Sequence, residues 1–236
     1  MKAEIFSHAK YLGSVELQIG DESMSHLYGV FSPSRCYYTE IREYVWRFNA
    51  LAAPDFEEWF SLRLNIQLDN GYFIYAEGGI TFDDIRDFPN EPIQIDVAGV
   101  DGHVINDFFR SSPPRPFVVY PWKFISIEQK LQFEDELQKE VGFSARSKTT
   151  SISKFLRVVN THPLAEHFFS ALCMNERFDD ILFVSRKNGI ETRFAVVHLT
   201  WTDTPEKKDS PKVTFYKDFD EFKYLKMYTD KTDWED

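Results

Sequence analysis

Hydrophobic and polar positions alternate near the start of the chain. Val15, Leu17 and Ile19 are separated by Glu16 and Gln18, the period of two that makes a half-buried strand. Residues 26–31 make a second short strand pattern, closed by Ser32-Pro33-Ser34. The period then lengthens. Ile41, Tyr44, Val45, Phe48 and Leu51 line one face of an amphipathic helix that Ala52-Ala53-Pro54-Asp55 ends. Leu62, Leu64, Ile66 and Leu68 alternate again and lead through Asp69-Asn70-Gly71 into Tyr72-Phe73-Ile74-Tyr75. An Asn-Gly pair between strands predicts a two-residue hairpin turn with Leu68 opposite Phe73 and Ile66 opposite Tyr75. Beyond the break at Gly78-Gly79, residues 80–82 and 93–97 read as strands and residues 107–110 as a helical turn. Ser111-Ser112-Pro113-Pro114-Arg115-Pro116 excludes both helix and central strand. Ser126 with Gln129 is a capping-box spacing, and the helix it opens runs to about Val141. Its inward side chains are expected to be Ile127, Leu131, Leu137 and Val141, with the charges outward and the helix closing the first half.

The second half reads differently. Pro163 suits the first position of a helix, with Leu164, His167, Phe168, Ala171 and Leu172 as its buried face. Residues 181–184 and 194–197 are continuous apolar runs about an Asn188-Gly189 turn, expected as strands buried on both faces. Asp218 and Glu221 cap a last helix with Phe219, Phe222 and Leu225 inside. Helices mixed with hairpins, without alternating βαβ units, predict an α+β protein with mixed or antiparallel sheets and packed helices. The small, polar, basic stretch at 142–153 is the expected boundary between an N-terminal α+β unit, 1–142, and a smaller C-terminal α+β unit, 153–236. A single packed domain stays open as the alternative.

Composition narrows the classes. The 236 residues carry 27 Lys and Arg against 38 Asp and Glu, a formal net charge of −11. With 43% hydrophobic residues and 23 Phe, the chain is too apolar and too aromatic for general disorder. No run approaches the roughly 20 apolar residues that cross a bilayer as a helix, and the N-terminus reads as having no signal peptide. Cys36 and Cys173 stand far apart and build neither a disulfide framework nor a structural zinc site, which fits a reducing cytoplasm. The acidic balance argues against direct nucleic-acid binding and favours a basic partner.

Motifs of chemistry are sparse. No phosphate loop, dinucleotide fingerprint or nucleophile elbow occurs. The histidines at 8, 26, 103, 162, 167 and 198 come without a metal-ligand spacing. Asp83-Asp84 with Asp87, and Asp179-Asp180, are the notable carboxylate groups, although neighbours on a strand point to opposite faces. Cys173 reads as core packing. Trp46 lies off the apolar stripe of its helix and, with Trp59 and Trp234, is a candidate interface aromatic.

Two segments carry a resemblance. One runs from Asn70-Gly71-Tyr72-Phe73 through Gly78-Gly79-Ile80-Thr81-Phe82-Asp83-Asp84 to Glu91-Pro92-Ile93. The other is Phe194-Ala195-Val196-Val197-His198-Leu199-Thr200-Trp201 with Phe215 and Asp218-Phe219-Asp220-Glu221-Phe222. Both resemble bacterial cytoplasmic proteins found near polymorphic or contact-dependent toxins, where immunity proteins are common. The resemblance implies a non-enzymatic protein that occludes a cognate toxin, such as a basic nuclease domain, and needs no cofactor or metal. Charge and aromatic content then nominate Asp83, Asp84, Asp87, Asp230, Asp233, Trp234, Glu235 and Asp236 as toxin contacts. Two alternatives compete. One is a metal-assisted hydrolase drawing on His162, His167, His198, Asp179 and Asp180; the other is a non-enzymatic adaptor.

Overall fold

The computed structural model describes residues 1–141, 164, 167–187, 193–201 and 211–235. The protein is α+β, with antiparallel sheets and packed helices. It divides into two compact units, Met1–Phe117 and Val118–Asp236. The expected boundary at 142–153 is therefore displaced; residues 142–150 and 151–153 themselves lie outside the described residues.

The first unit contains β1 (Lys2–Ser7), β2 (Lys10–Glu16), β3 (Gln18–Ile19) and β4 (Leu27–Pro33). A π-type turn, Tyr37–Ile41, runs into α1 (Arg42–Ala50), followed by α2 (Phe56–Ser61). Then come β5 (Leu64–Leu68), β6 (Phe73–Ile74), β7 (Ala76–Asp83), β8 (Gln94–Val100) and the single turn α3 (Gly102–Val104). The strands form one sheet in the order β6-β5-β1-β2-β4-β8-β7, with β3 beside β4. Alternating side chains such as Ile80, Phe82, Ile95 and Val97 supply the core, together with Tyr37, Val45 and Trp59 from the helices.

The hairpin register differs from the expected one. Ile66 stands opposite Ile74 and Gln67 opposite Phe73. Leu68 N–H bonds to Tyr72 C=O at 2.8 Å, and Gly71 N–H returns to Leu68 C=O at 2.8 Å. The loop thus has three residues, because only Gly71 takes positive φ, at 89°. That is the turn-plus-glycine-bulge alternative to the two-residue turn. Gly78-Gly79 does not end β7 either; it makes a bulge within it, between Ala76 and Gly79.

The second unit contains β9 (Trp122–Phe124), α4 (Ile127–Glu140), β10 (His167–Asn175), β11 (Asp180–Lys187), β12 (Arg193–His198), β13 (Lys212–Tyr216), α5 (Phe219–Phe222) and α6 (Tyr228–Glu235). A π-type turn, Lys223–Met227, joins the last two. The sheet order is β13-β12-β11-β10-β9. Residues 181–184 and 194–197 are buried throughout, as continuous apolar strands should be. The Asn188-Gly189 turn lies outside the described residues.

The expected helix from Pro163 is corrected: His167, Phe168, Ala171 and Leu172 lie in β10, and Pro163 is not among the described residues. A short apolar run satisfies both periods, and here pairing with β11 and β9 decides for strand. The α4 capping box is present as expected. Its helix belongs to the second unit and packs on β10, and its inner face is not purely apolar. Lys130, Glu134, Glu136 and Glu140 are buried beside Ile127, Phe133 and Leu137, while Leu131 is half-buried. In the last helix region Phe219, Phe222 and Met227 are buried and Leu225 is exposed.

Candidate functional site

The most built polar feature of the first unit lies where α1 meets the end of β7. β7 is an edge strand, so alternate carbonyls along it need partners. Side chains of the two helices supply them. Trp59 Nε1 donates to Ile80 C=O at 3.2 Å, and Asn49 Nδ2 donates to Phe82 C=O at 2.9 Å and Asp84 C=O at 3.0 Å.

Asp84 follows the strand and turns inward, only 3% exposed. Each of its carboxylate oxygens accepts two hydrogen bonds. Oδ2 takes Tyr37 Oη–H at 2.8 Å and Arg42 Nε–H at 2.8 Å; Oδ1 takes Trp46 Nε1–H at 2.9 Å and Arg42 Nη2–H at 3.1 Å. Burial alone would push the carboxyl up. The bonds from Arg42, Trp46 and Tyr37 outweigh it and hold Asp84 below the usual carboxylate range. Burial, reinforced by Asp84 beside it, pushes the Tyr37 phenol up, so it stays a donor. Arg42 also donates to Pro89 C=O at 2.8 Å, which ties down the loop beyond Asp84. Asp84 is thus corrected from an exposed contact to the anchor of its loop.

What the anchor displays is an open groove of 640 Å³, lined by residues that include Trp46, Asn49, Asp83, Arg86, Asp87 and Asp96. Asp83 and Asp87 are exposed, and Ile85 and Phe88 expose apolar side chains on the same loop. Asp96 is half-buried and receives His26 Nε2 at 2.8 Å. The Trp46 ring is held edge-in by Asp84, with the Arg42 guanidinium 4.5 Å and the Arg86 guanidinium 5.3 Å from its centroid. Arg86 is the looser of the two. Its other partner is Glu43, at 3.2 Å, and both side chains are well exposed. Such a pair contributes about 0–1 kcal/mol.

The tail candidates of the second unit separate into two kinds. Asp230 is 6% exposed. Its Oδ2 accepts Trp122 Nε1–H at 2.8 Å and Asn175 Nδ2–H at 2.9 Å, and Oδ1 accepts Lys226 Nζ–H at 3.1 Å. It is corrected from a contact to a clamp that holds α6 on the sheet. Asp233 and Trp234 are exposed. Trp234 meets Tyr120 edge-on at 5.0 Å, with Arg177 5.8 Å from its ring. Glu235 ends α6, and Asp236 lies outside the described residues.

The histidine and aspartate set is only partly assembled. His198 Nδ1 lies 3.2 Å from Asp180 Oδ1, while Asp179 occupies the preceding turn with φ 54°. His167 Nδ1 lies 2.7 Å from Ser185 Oγ on the neighbouring strand, with Ser185 fully buried. His162 lies outside the described residues. Among the described residues, no group of three His, Cys, Asp or Glu is placed to hold a metal ion. Burial raises the Cys173 thiol well above its usual value, consistent with packing.

Sequence reading missed Arg42 and Arg86. The Arg42–Trp46 spacing of four residues put both on one helix face, which was a usable signal. Their shared acceptor, 38 residues beyond Trp46, was not. No protein-family model, curated protein or solved structure matches the chain. No described helix is long and apolar enough to cross a membrane.

Proposed function

We propose that this chain is a non-enzymatic immunity-type protein that binds a basic protein toxin in the cytoplasm and occludes its active cleft. The observation that carries the reading is the groove beside Trp46. It combines an aromatic and apolar centre, from Trp46 and Ile85, with the carboxylates of Asp83, Asp87 and Asp96 against the lone cation among its lining residues, Arg86. Protein interfaces concentrate binding in such centres and use the charged rim for steering. The net charge of −11 adds long-range attraction for a basic partner. The free thiols of Cys36 and Cys173 are compatible with a reducing compartment.

The test is a tagged pull-down from the native cell, with stoichiometric partners identified by mass spectrometry, then assayed for inhibition by the pure chain. The expected result is a basic toxin domain whose activity is lost on mixing. Asp83→Lys with Asp87→Lys should slow association, most strongly at low salt. A captured protein that is neither basic nor inhibited would sink the reading.

A further inference from the structure

Arg86 occupies an unusual place within the groove. It is an exposed cation set over an aromatic ring, in a groove lined by the carboxylates of Asp83, Asp87 and Asp96. Among the described residues it pairs with Glu43, and both side chains of that pair are exposed. Arg42 is different: it is fixed by two bonds to Asp84 and one to Pro89 C=O and is not free to leave. The Trp46 ring is equally fixed, because its indole N–H is bound to Asp84. The groove therefore presents a rigid ring, a lining of carboxylates and one weakly held cation.

We propose that the groove receives a lysine or arginine side chain of the partner protein at the position over Trp46 that Arg86 now fills. Arg86 is an internal stand-in that swings toward solvent when the partner's cation enters. This rests on the proposed toxin-binding reading and names the chemistry recognised there. Charge complementarity selects the occupant. An acidic side chain would meet Asp83 and Asp87, and an apolar one would have to displace Arg86 without replacing its attraction to the ring. The neighbouring Ile85 and Phe88, both exposed, would cover the aliphatic stem of the incoming side chain.

The probe is a short blocked peptide with one arginine between glycines, titrated into the full chain. The Trp46 indole N–H resonance is the readout, with norleucine and glutamate peptides as controls. The arginine peptide should give a saturable shift of that resonance, and the controls should not. Arg86→Gln should tighten binding about threefold by vacating its own place over the ring, while Arg42 stays bound to Asp84. Asp83→Asn with Asp87→Asn should weaken it by a similar factor. Equal shifts from the norleucine peptide, or unchanged affinity in Arg86→Gln, would overturn the assignment. If a basic toxin is captured and inhibited but binds wild type and both variants alike, the groove assignment fails and the neutralising reading stands. If the peptide titrates the groove while no basic toxin is captured, the groove assignment holds and the neutralising reading fails.

Discussion

Glu134 accepts the Ala171 N–H at 3.0 Å, and Lys130, one turn earlier on α4, donates to the Ala171 C=O at 3.1 Å. β9 pairs with β10 only from Cys173 to Asn175. The ion pair Lys130–Glu134 thus continues the ladder by side chains where the strand stops. This is the same device as Trp59 and Asn49 along β7. Each unit closes a sheet edge with helix side chains, which removes a template for unwanted strand pairing.

Breaking this pair from one side should be severe. Lys130→Met removes the Lys130 cation from the buried Glu134 carboxylate and should cost about 3–5 kcal/mol. Glu134→Gln keeps an acceptor for Ala171 N–H and should cost less. The double variant should be less destabilised than the sum of the two. Urea unfolding of the four proteins checks the coupling; additive losses would mean the two side chains act independently.

Asp84 should make the first unit acid-sensitive. Its folded carboxyl sits below the unfolded value, so its stabilisation is complete above about pH 4 and is lost as pH falls through the folded value. Asp84→Asn should cost about 2–4 kcal/mol at neutral pH, since Arg42 loses its anion. It should also flatten the acid limb of the stability profile. Amide exchange over α1 and β7 from neutral pH down to about pH 3 is the measurement.

These two clusters mark what the chain made legible and what it did not. Local signals held where one rule dominated: the Ser126–Gln129 cap and the apolar strands β11 and β12. The α1 period held only in part, since Val45 is buried and Leu51, beyond the helix end, is exposed. Local signals failed where two rules competed. The run at β10 fits helix and strand alike, and pairing with β11 settled it. The hairpin at Gly71 satisfied two loop lengths. Asp83 and Asp84 show the remaining gap. Alternation said that they part, and Asp83 does face outward, but only Arg42, Trp46 and Tyr37 together decide that Asp84 is the one buried. Those donors approach from 38 to 47 residues away in sequence.

Glu140 should behave in the opposite sense to Asp84. Burial raises its carboxyl despite bonds from Trp201 and Thr200, and Glu136 adds repulsion. Its Oε1 accepts both backbone N–H groups at 2.7 Å. Oε2 is buried with no hydrogen-bond partner among the described residues. The folded value is above the unfolded one, so its contribution is complete below the unfolded value, about pH 4.5, and is lost as pH rises through the folded one. Glu140→Gln should therefore match or exceed wild type at neutral pH and lose that advantage in acid. Glu140→Ala should cost about 1–3 kcal/mol in acid by orphaning two amides, and less at neutral pH. Urea midpoints against pH separate the two; a Gln variant that is worse at neutral pH would contradict the assignment.

The tail offers the sharpest contrast between a clamp and an exposed surface. Asp230→Ala leaves the Trp122 indole N–H and the Asn175 amide buried without their acceptor, which should cost about 2–4 kcal/mol. Amide exchange through α6 should rise with it, because Lys226 loses the same partner. Trp122→Phe removes one of the three donors and some ring volume, so its loss should be smaller in exchange protection of α6 but measurable in global stability. Asp233→Lys changes the sign of an exposed group three residues along and should stay within about 0.5 kcal/mol of wild type. If Asp233→Lys instead loosens α6 as much as Asp230→Ala, the helix is held by its overall charge rather than by the buried carboxylate.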